Sequence, residues 1–343
     1  MKILVLGGTW FLGKAVVEGA QARGWDVATF NRGISGIDAP GVDNIRGDRT
    51  CDADLGRLAE GGPWDAVIDT SASALAPRDV LAGSRHLESV AGRYVAISTV
   101  NAYRDWPNLP LSEASDLLDA PSDADADFGK LPDGWDGPDW YYGRQKAGAE
   151  RAVLESFGED RSTILRPGVI LGPGEYVGRL PKWLTRIARG GKILAPGDQD
   201  KSIQPVDVRD AATFALDQAE TGKGGAFNVT APLGVETMGG LLHACLETTG
   251  ATGELVWAPD DLLIEQGVEQ WTELPLWRTH EGVWRVDSSV AHRAGLRCRP
   301  LAQTVADTWR WLENGNVPVK HERWAEHGMD AEKEARILAM VGA

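Results

Sequence analysis

Residues 1–13 constrain the fold most, because a buried strand, a glycine turn and a helix follow one another there without a break. Residues 3–6 are four apolar residues in a row, which is typical of a strand covered on both faces of a parallel sheet. Glycines come next, and apolar residues at helical spacing follow from residue 15 to residue 20. This order sets the N-terminus of a helix against a pyrophosphate. We therefore predict a dinucleotide site whose turn contacts the cofactor through Gly7, Thr9, Trp10, Phe11, Leu12 and Gly13.

Trp10 departs from the usual glycine turn, which has a glycine at that position. An indole there either stacks along the adenosine or narrows the pocket, and the sequence leaves both outcomes open. A tight strand-to-helix connection that binds no ligand is the simpler alternative. The flanking strand and helix arrive at the expected spacing, which favours nucleotide binding.

Alternating strands and helices continue along the chain and predict the fold class. Strands are predicted at residues 25–30, 42–46, 64–69, 93–97, 161–166, 203–206 and 226–229. With helices between them, this pattern predicts an α/β protein with a doubly wound parallel sheet of the Rossmann type and a smaller C-terminal lobe for substrate. The predicted dinucleotide-binding domain is residues 1–170 with 203–230, the lobe is residues 171–202 and 231–315, and a helical tail is residues 316–343.

Two segments depart from the alternation. Residues 112–139 contain nine Asp or Glu and one Lys, so we predict a long irregular loop that either borders a binding cleft or is disordered on the surface. The segment at residues 255–286 is rich in tryptophan, which suggests either an apolar pocket wall or the core of an irregular lobe. Its tryptophans are Trp257, Trp271, Trp277 and Trp284.

The residues at the end of the second predicted strand indicate whether the cofactor is NAD or NADP. About 20 residues after the glycine turn, an acidic residue would bind the ribose 2′-hydroxyl, whereas an arginine accommodates a 2′-phosphate. This chain has neutral Asn31 followed by Arg32. The pattern favours NADP, and NAD is the alternative if Arg32 is only a solvated loop residue.

Thr99, Tyr142 and Lys146 are the candidate catalytic residues. Tyr142 and Lys146 are four residues apart in a predicted helix, so they share a face. A phenol with a pKa of about 10 is a poor acid–base group at neutral pH unless a nearby positive charge stabilises its phenolate. Lys146 can supply that charge, and the hydroxyl of Thr99 at a strand end can hold a carbonyl or alcohol oxygen. Although this spacing also occurs on ordinary helices, its place after the glycine turn favours a proton relay beside a nicotinamide.

Taken in order, these motifs resemble the extended short-chain dehydrogenase/reductase family, in its NAD-dependent epimerase/dehydratase-like form, over nearly the whole chain. The resemblance implies that Asp48 contacts adenine and that the stretch around Pro167 passes the nicotinamide amide. It also implies a homodimer formed through helices of the main domain. The predicted cofactor contacts beyond the turn are Asn31, Arg32, Asp48, Thr70, Ser98, Tyr142, Lys146, Pro167 and Val169.

With Trp10, the glycine turn resembles that of a divergent branch of the family in which catalytic residues are often lost. Tyr142 and Lys146 are retained here, which favours an active enzyme. The leading hypothesis is an NADP-dependent reductase that transfers a hydride to or from a carbonyl, alcohol or imine of a small metabolite. A non-catalytic relative that binds a cofactor or RNA is one alternative, because a fold does not determine a function.

A sugar-nucleotide epimerase or dehydratase with tightly bound NAD(P) is the other alternative, since the same Tyr and Lys would serve it. Ile203 stands where many nucleotide-sugar enzymes of the family carry an arginine for the diphosphate. Val100 and Asn101 do not supply the acid–base carboxylate that a dehydratase needs. These departures weaken the alternative without excluding it.

Composition argues against nucleic-acid-binding, membrane and metal-binding proteins. The net charge of −15 and the pI of about 4.9 oppose binding to nucleic acid or to an anionic membrane. No apolar run approaches the ~20 residues of a membrane span. The three cysteines and six histidines lack metal-ligand spacing, so no metal site is predicted. We expect a cytoplasmic protein that acts on a small molecule.

Overall fold

The computed structural model describes residues 1–134, 139–319 and 321–341. The strands are, in chain order, β1 (Lys2–Leu6), β2 (Asp26–Asn31), β3 (Asp43–Arg46), β4 (Ala66–Asp69), β5 (Tyr94–Ile97), β6 (Ser162–Pro167), β7 (Ile170–Leu171), β8 (Gly191–Pro196), β9 (Ser202–Ile203), β10 (Val206–Asp207), β11 (Gly225–Val229), β12 (Glu236–Thr237), β13 (Gly253–Ala258), β14 (Gln270–Trp271) and β15 (Leu274–Pro275).

The α-helices are α1 (Phe11–Ala22), α2 (Asp52–Glu60), α3 (Pro77–Leu87), α4 (Tyr141–Arg161), α5 (Arg179–Ala188), α6 (Val208–Thr221), α7 (Met238–Thr249), α8 (Asp260–Glu265), α9 (Ser289–Arg293), α10 (Leu301–Glu313) and α11 (Ala331–Val341). Short 3₁₀ helices are found at Ala72–Ala74, Val100–Ala102 and Glu322–Glu326. Among the described residues, no helix is both long enough and apolar enough to cross a membrane.

The described chain divides into two compact units. The first unit is Met1–Gly168, Arg209–Val229 and Asp287–Arg297, and the second is Val169–Val208, Thr230–Val286 and Cys298–Ala343. The sequence-based boundaries differ, since they assigned residues 287–297 to the C-terminal lobe and residues 203–208 to the dinucleotide-binding domain. The backbone N–H of Asp287 donates to the Leu111 carbonyl oxygen over 2.8 Å, and the Asn228 amide donates to the Asp287 carbonyl over 2.9 Å. These bonds tie the segment to the first unit.

In the part of the first unit that the structure describes, seven strands form one parallel sheet in the order β11-β6-β5-β4-β1-β2-β3. Strand β1 lies between β2 and β4, with Ile3 opposite Val27 and Ala66. Its residues 3–6 are at most 1% exposed, which explains the unbroken apolar run. The sheet and its flanking helices confirm the predicted doubly wound Rossmann-type fold.

The predicted strand at residues 203–206 is wrong, because the structure has β9 and β10 with a break between them. The buried side chain of Gln204 makes two bonds to the backbone of Val286, donating over 2.8 Å and accepting over 2.9 Å. Pro205 follows and has no N–H to give to a strand ladder. A side chain therefore replaces the backbone pairing that a continuous strand would make.

The second unit contains a parallel pair of strands that the sequence did not predict. Strand β8 pairs with β13 from Gly191 opposite Gly253 to Pro196 opposite Ala258. Helix α7 packs against α5 and α10. Of the tryptophans in this unit, Trp277 is 1% exposed and donates its indole N–H to Asp260 over 2.7 Å, so it belongs to the core.

The acidic segment is irregular over residues 112–134 but is packed against the rest of the first unit. Leu118, Ala120 and Ala124 are buried, and the backbone N–H of Leu118 donates to the Ala102 carbonyl over 2.8 Å. Residues 135–138 of the predicted loop lie outside the described residues. The predicted tail contains the 3₁₀ helix at Glu322–Glu326 and α11, and its residues 320, 342 and 343 also lie outside.

Candidate active site and cofactor cradle

The glycine turn between β1 and α1 runs close to the end of β4. Gly7 and Gly8 have φ angles of 106° and 100°, which L side chains rarely adopt. A Cβ on Gly13 would lie 2.6 Å from Thr70 Oγ1 and 2.8 Å from the Gly8 backbone nitrogen. The Thr70 hydroxyl donates to the Leu6 carbonyl over 3.0 Å. The glycine positions of the turn therefore have no room for a side chain, and predicted residue Thr70 lies directly against them.

Helix α1 begins at an N-cap residue that offers no acceptor. Trp10 holds this position in an extended conformation (φ −136°, ψ 138°), and an indole is a donor only. The first N–H groups of a helix need acceptors, and a pyrophosphate supplies them while its charge favours the positive end of the helix. The crowded glycines of the turn and a helix start that has no side-chain cap together fit a dinucleotide.

Asn31, Asp38 and Arg46 form a polar cluster where β2 and β3 end. Asn31 lies opposite Arg46 in the register of the two strands. Arg46 donates to both Asp38 and Asn31, and the Asn31 amide donates to Asp38 over 3.1 Å. The bond from Arg46 is the main reason that the pKa of Asp38 lies below its usual value. Sequence analysis missed Asp38 and Arg46, although the aligned ends of adjacent parallel strands could have revealed Arg46.

Asp48 and Arg32, both predicted cofactor contacts, lie within electrostatic range of each other. The Asp48 carboxylate accepts from the backbone N–H of Thr50 over 2.9 Å and from its hydroxyl over 2.8 Å. These bonds lower the pKa of Asp48, and the positive charge of Arg32 lowers it further. Arg32 is exposed at the end of β2, where an anionic ligand could reach it.

Tyr142 and Lys146 lie one turn apart on α4 but in different environments. Lys146 is 4% exposed, and its Nζ donates to the Ile97 carbonyl at the end of β5 over 2.7 Å. Burial lowers the pKa of Lys146 to about 8. Tyr142 is 41% exposed. The helix thus places the solvent-accessible phenol of Tyr142 one turn from the buried amino group of Lys146.

The turn that follows β5 packs against the start of α4. Thr99 is buried, and its hydroxyl oxygen accepts from the Asn101 backbone N–H over 3.2 Å and from the Asn101 amide over 3.0 Å. A Cβ on Gly143 would clash with the Asn101 carbonyl oxygen, so this glycine permits the close approach. The structure thereby brings the predicted strand end and the predicted catalytic helix together.

Two buried ion pairs flank Lys146, and sequence analysis missed both. Arg49 donates twice to Asp69, over 2.7 and 2.8 Å, and Arg166 pairs with Glu150 over 2.6 Å. Each of these four residues is at most 7% exposed. The negative charges of Asp69 and Glu150 raise the pKa of Lys146 and so oppose part of the effect of burial.

A small cavity lies among these groups and is lined in part by Asp69, Ser98, Lys146 and Glu150. The Ser98 hydroxyl donates to the Glu150 carboxylate, so this predicted cofactor contact has its side chain turned to the ion pair. Glu150 continues the face of α4 that carries Tyr142 and Lys146. That spacing is the sequence signal that could have identified it.

The last two predicted cofactor contacts fall in different units. Pro167 ends β6 and is buried in the first unit. Val169 is 6% exposed and begins the second unit. Their contacts with a cofactor stay predictions.

Residues 3–230 match the model of the NAD dependent epimerase/dehydratase family, which covers more than half of the chain. The chain belongs to the NAD-dependent epimerase/dehydratase family. The matched residues include the glycine turn and the candidate catalytic residues. As a member of this epimerase/dehydratase family, the protein is an enzyme that binds NAD or NADP.

Individual proteins similar to this family member include a reductase and two solved enzymes. The 2-alkyl-3-oxoalkanoate reductase of Stenotrophomonas maltophilia is 29% identical over 226 residues, which are 62% of this chain and only 63% of that relative. The UDP-glucose 4-epimerase of Thermotoga maritima with UDP-glucose is 20% identical with a TM-score of 0.66, covering 92% of this chain and 99% of that chain. The Bordetella bronchiseptica enzyme WbmG with NAD is 18% identical with a TM-score of 0.67, covering 93% and 96%. At these identities the two structures show the shared fold alone.

Proposed function

We propose that this protein is an NADP-dependent reductase that transfers a hydride to the carbonyl or imine carbon of a small metabolite. The observation that carries the proposal is the pairing of accessible Tyr142 with buried Lys146, next to the strand end that holds Thr99. A carbonyl that becomes an alcohol needs a proton donor and a fixed charge to stabilise that donor's anion.

Tyr142 supplies the proton to the substrate oxygen. A phenol gives up its proton more readily when a positive charge stabilises the phenolate, and Lys146 supplies that charge from one turn away. The bond to the Ile97 carbonyl holds the ammonium in place. A bound nicotinamide supplies the hydride.

Thr99 orients the substrate oxygen by donating its hydroxyl proton. A hydroxyl has one donor and two acceptor lone pairs, and Thr99 Oγ1 already accepts two bonds from Asn101. The proton is therefore directed to another acceptor, and a carbonyl oxygen is a suitable one. Asn101 acts as a positioning residue for this hydroxyl.

The charges at the ends of β2 and β3 support NADP as the cofactor. Asn31 brings no negative charge, and the guanidinium groups of Arg32 and Arg46 both lie at these strand ends. The Asp38 carboxylate bonds to Arg46, which leaves Arg32 as the main candidate to bind a 2′-phosphate. Titration with NADPH and NADH, followed by energy transfer from tryptophan to the reduced nicotinamide, tests the choice. We expect NADPH to bind at least about tenfold more tightly. A preference for NADH would show that this choice is wrong.

The substrate class proposed first is a 3-oxo acid. The similar protein from Stenotrophomonas maltophilia is a reductase of 2-alkyl-3-oxoalkanoates by its name, and that similarity supports reduction of a carbonyl. Other ketones, aldehydes and imines complete the substrate screen.

A sugar-nucleotide epimerase or dehydratase is less well supported. Ile203, at the position expected for a diphosphate-binding arginine, is completely buried. Lys201 Nζ donates to the Arg278 carbonyl over 2.8 Å, so this nearby cation is engaged by the protein. A cofactor that stays bound through purification would favour the epimerase or dehydratase.

The deciding experiment compares Tyr142→Phe with Tyr141→Phe in an assay of NADPH oxidation. Loss of the Tyr142 hydroxyl should lower kcat by roughly 10²- to 10⁴-fold and weaken NADPH binding by less than about tenfold. Tyr141 donates its hydroxyl to the Ala126 carbonyl over 2.7 Å, so its variant controls for the loss of a neighbouring phenol. Full activity in Tyr142→Phe would contradict the mechanism and favour a non-catalytic relative.

A further inference from the structure

Trp271 lies among positive and aromatic side chains in the second unit. The guanidinium carbons of Arg278 and Arg179 lie 5.1 and 5.8 Å from the centroid of its ring. The ring of Trp284 lies 5.7 Å away at an interplanar angle of 34°. Trp271 has a φ of 74°, which a bulky residue adopts only when its surroundings impose it. The fold therefore holds the backbone of Trp271 in a strained conformation and its indole close to two cations.

Trp284 carries a buried N–H that has no acceptor among the residues that the structure describes. Its side chain is 5% exposed. Proteins satisfy nearly all of their buried donors, because an unsatisfied donor has lost its bond to water. This N–H belongs to a ring that lies beside Trp271 and is therefore a donor available to a ligand there.

The C-terminal tail adds positive charge to the cluster. Burial lowers the pKa of Arg278, and the charge of Arg323 in the tail lowers it further. Burial also lowers the pKa of His327, and the charges of Arg179 and Arg323 contribute in the same direction. Like charges gathered in this way repel one another, and a bound anion relieves that repulsion.

Two carboxylates near the cluster neutralise part of this charge. Glu175 lies 3.9 Å from Arg179 and accepts backbone N–H bonds from Val177 and Gly178 over 3.0 and 2.9 Å. Glu326 pairs with Arg323 over 3.1 Å. Burial and the charge of Arg323 lower the pKa of Arg278, and a bound anion would act in the opposite direction.

We propose that the second unit binds a small organic carboxylate with an apolar body at the cluster of Trp271, Trp284, Arg179 and Arg278. Guanidinium groups donate paired bonds to a carboxylate, and the Trp284 N–H adds a further donor. The indole rings pack against the apolar body of the ligand. The proposal goes beyond the proposed function, because binding here requires neither a cofactor nor a catalytic step.

Calorimetric titration of the full-length protein with 3-phenylpropionate tests this proposal. The matched control is 3-phenylpropionamide, which has nearly the same shape and no charge. We expect saturable binding of the acid and at least about tenfold weaker binding of the amide. Equal affinities, or no saturable binding of the acid, would overturn the proposal.

Trp284→Phe separates the role of the N–H from that of the ring. We expect the affinity for the acid to fall about fivefold to tenfold. Trp64→Phe is the matched control, because Trp64 in the first unit also has a buried N–H without a partner among the described residues. Unchanged affinity in Trp284→Phe would show that this N–H does not contact the ligand and would contradict the site as assigned.

Arg278→Gln tests the cation of the cluster. We expect at least about tenfold weaker binding of the acid. Arg285→Gln, in the same segment, is the control, because the Arg285 guanidinium pairs with exposed Glu281. Equal effects of the two substitutions would show only a general effect of charge and would contradict the assignment.

Inorganic phosphate and UDP are the competing ligands. If either binds more tightly than 3-phenylpropionate and displaces it, the cluster is a phosphate site and the carboxylate assignment is wrong. These titrations involve no turnover, so failure of the reductase assay and failure of carboxylate binding are separate results.

Discussion

Lys146 and Glu150 occupy successive turns on one face of α4, and both are charged groups placed in the interior of the first unit. They are 4% and 2% exposed. Arg166 pairs with Glu150 over 2.6 Å, whereas Lys146 Nζ donates to a neutral group, the Ile97 carbonyl. Burial therefore dominates at Lys146 and lowers its pKa to about 8.

Lys146→Met should remove a pH dependence of stability. The ordinary pKa is 10.5 and the folded value is about 8, so between these values the unfolded chain holds a proton that the folded protein has released. The free energy of unfolding of the wild type therefore rises with pH across this window, by up to about 3 kcal/mol, and this contribution is absent below pH 8.

Urea unfolding of both proteins at pH 7 and pH 9.5 measures the effect. The stability of the wild type relative to Lys146→Met should increase by about 2 kcal/mol between the two values, because other titrating groups cancel in the comparison. Parallel changes in the two proteins would show that Lys146 titrates normally. The variant should also lose reductase activity.

Glu150→Gln should destabilise the first unit and shift the activity profile. The substitution leaves Arg166 buried without its counter-ion, which costs roughly 3–5 kcal/mol. Because the Glu150 charge raises the pKa of Lys146, its loss should move the alkaline limb of kcat to lower pH.

Glu155→Gln is the control for Glu150→Gln, because Glu155 lies on the same helix and pairs at the surface with Arg85 over 2.7 Å. It should leave both stability and the pH profile nearly unchanged. If Glu150→Gln does not fold, Ser98→Ala removes a donor to the same carboxylate and should lower stability by about 1–2 kcal/mol. An unshifted alkaline limb in a folded Glu150→Gln would contradict the coupling.

Asp38→Asn should increase the preference for NADPH. Asp38 binds Arg46 at the ends of β2 and β3, and its carboxylate competes with a 2′-phosphate for that guanidinium. We expect several-fold tighter binding of NADPH and no change for NADH, whereas Arg32→Gln should weaken NADPH by roughly tenfold. Asp217→Asn is the control, since it removes a carboxylate paired with Arg23 over 2.6 Å away from this cluster. Equal changes for both cofactors would argue against contact with the 2′-phosphate.

Gly13→Ala should abolish cofactor binding, because its Cβ would lie 2.6 Å from Thr70 Oγ1 and 2.8 Å from the Gly8 nitrogen. We expect at least about 100-fold weaker binding of NADPH in the same fluorescence titration. Gly56→Ala in α2 is the control, since its Cβ would meet nothing within 4 Å. That variant should gain about 0.5–1 kcal/mol of stability from helix propensity. Retained cofactor binding in Gly13→Ala would place the pyrophosphate elsewhere.

The sequence alone determined the glycine cradle, the alternation of strands and helices, and the spacing of Tyr142 and Lys146. Each of these is local, because a turn that excludes side chains, an apolar run and a four-residue helical repeat are readable within about twenty residues. Residues 203–206 show the limit of such reasoning. A strand is predicted there, but the side chain of Gln204 bonds to a backbone segment more than 80 residues away.

Only the tertiary structure decided which charges enter the interior. Arg49, Asp69, Glu150 and Arg166 look like ordinary polar residues in the sequence, since burial of a charge depends on a partner from another strand or helix. The parallel register likewise sets Arg46 beside Asn31, and the packing of the second unit sets two guanidinium groups over Trp271. The local sequence pattern thus predicts the positions of the cofactor turn and the catalytic pair, whereas long-range packing determines the charges that surround them.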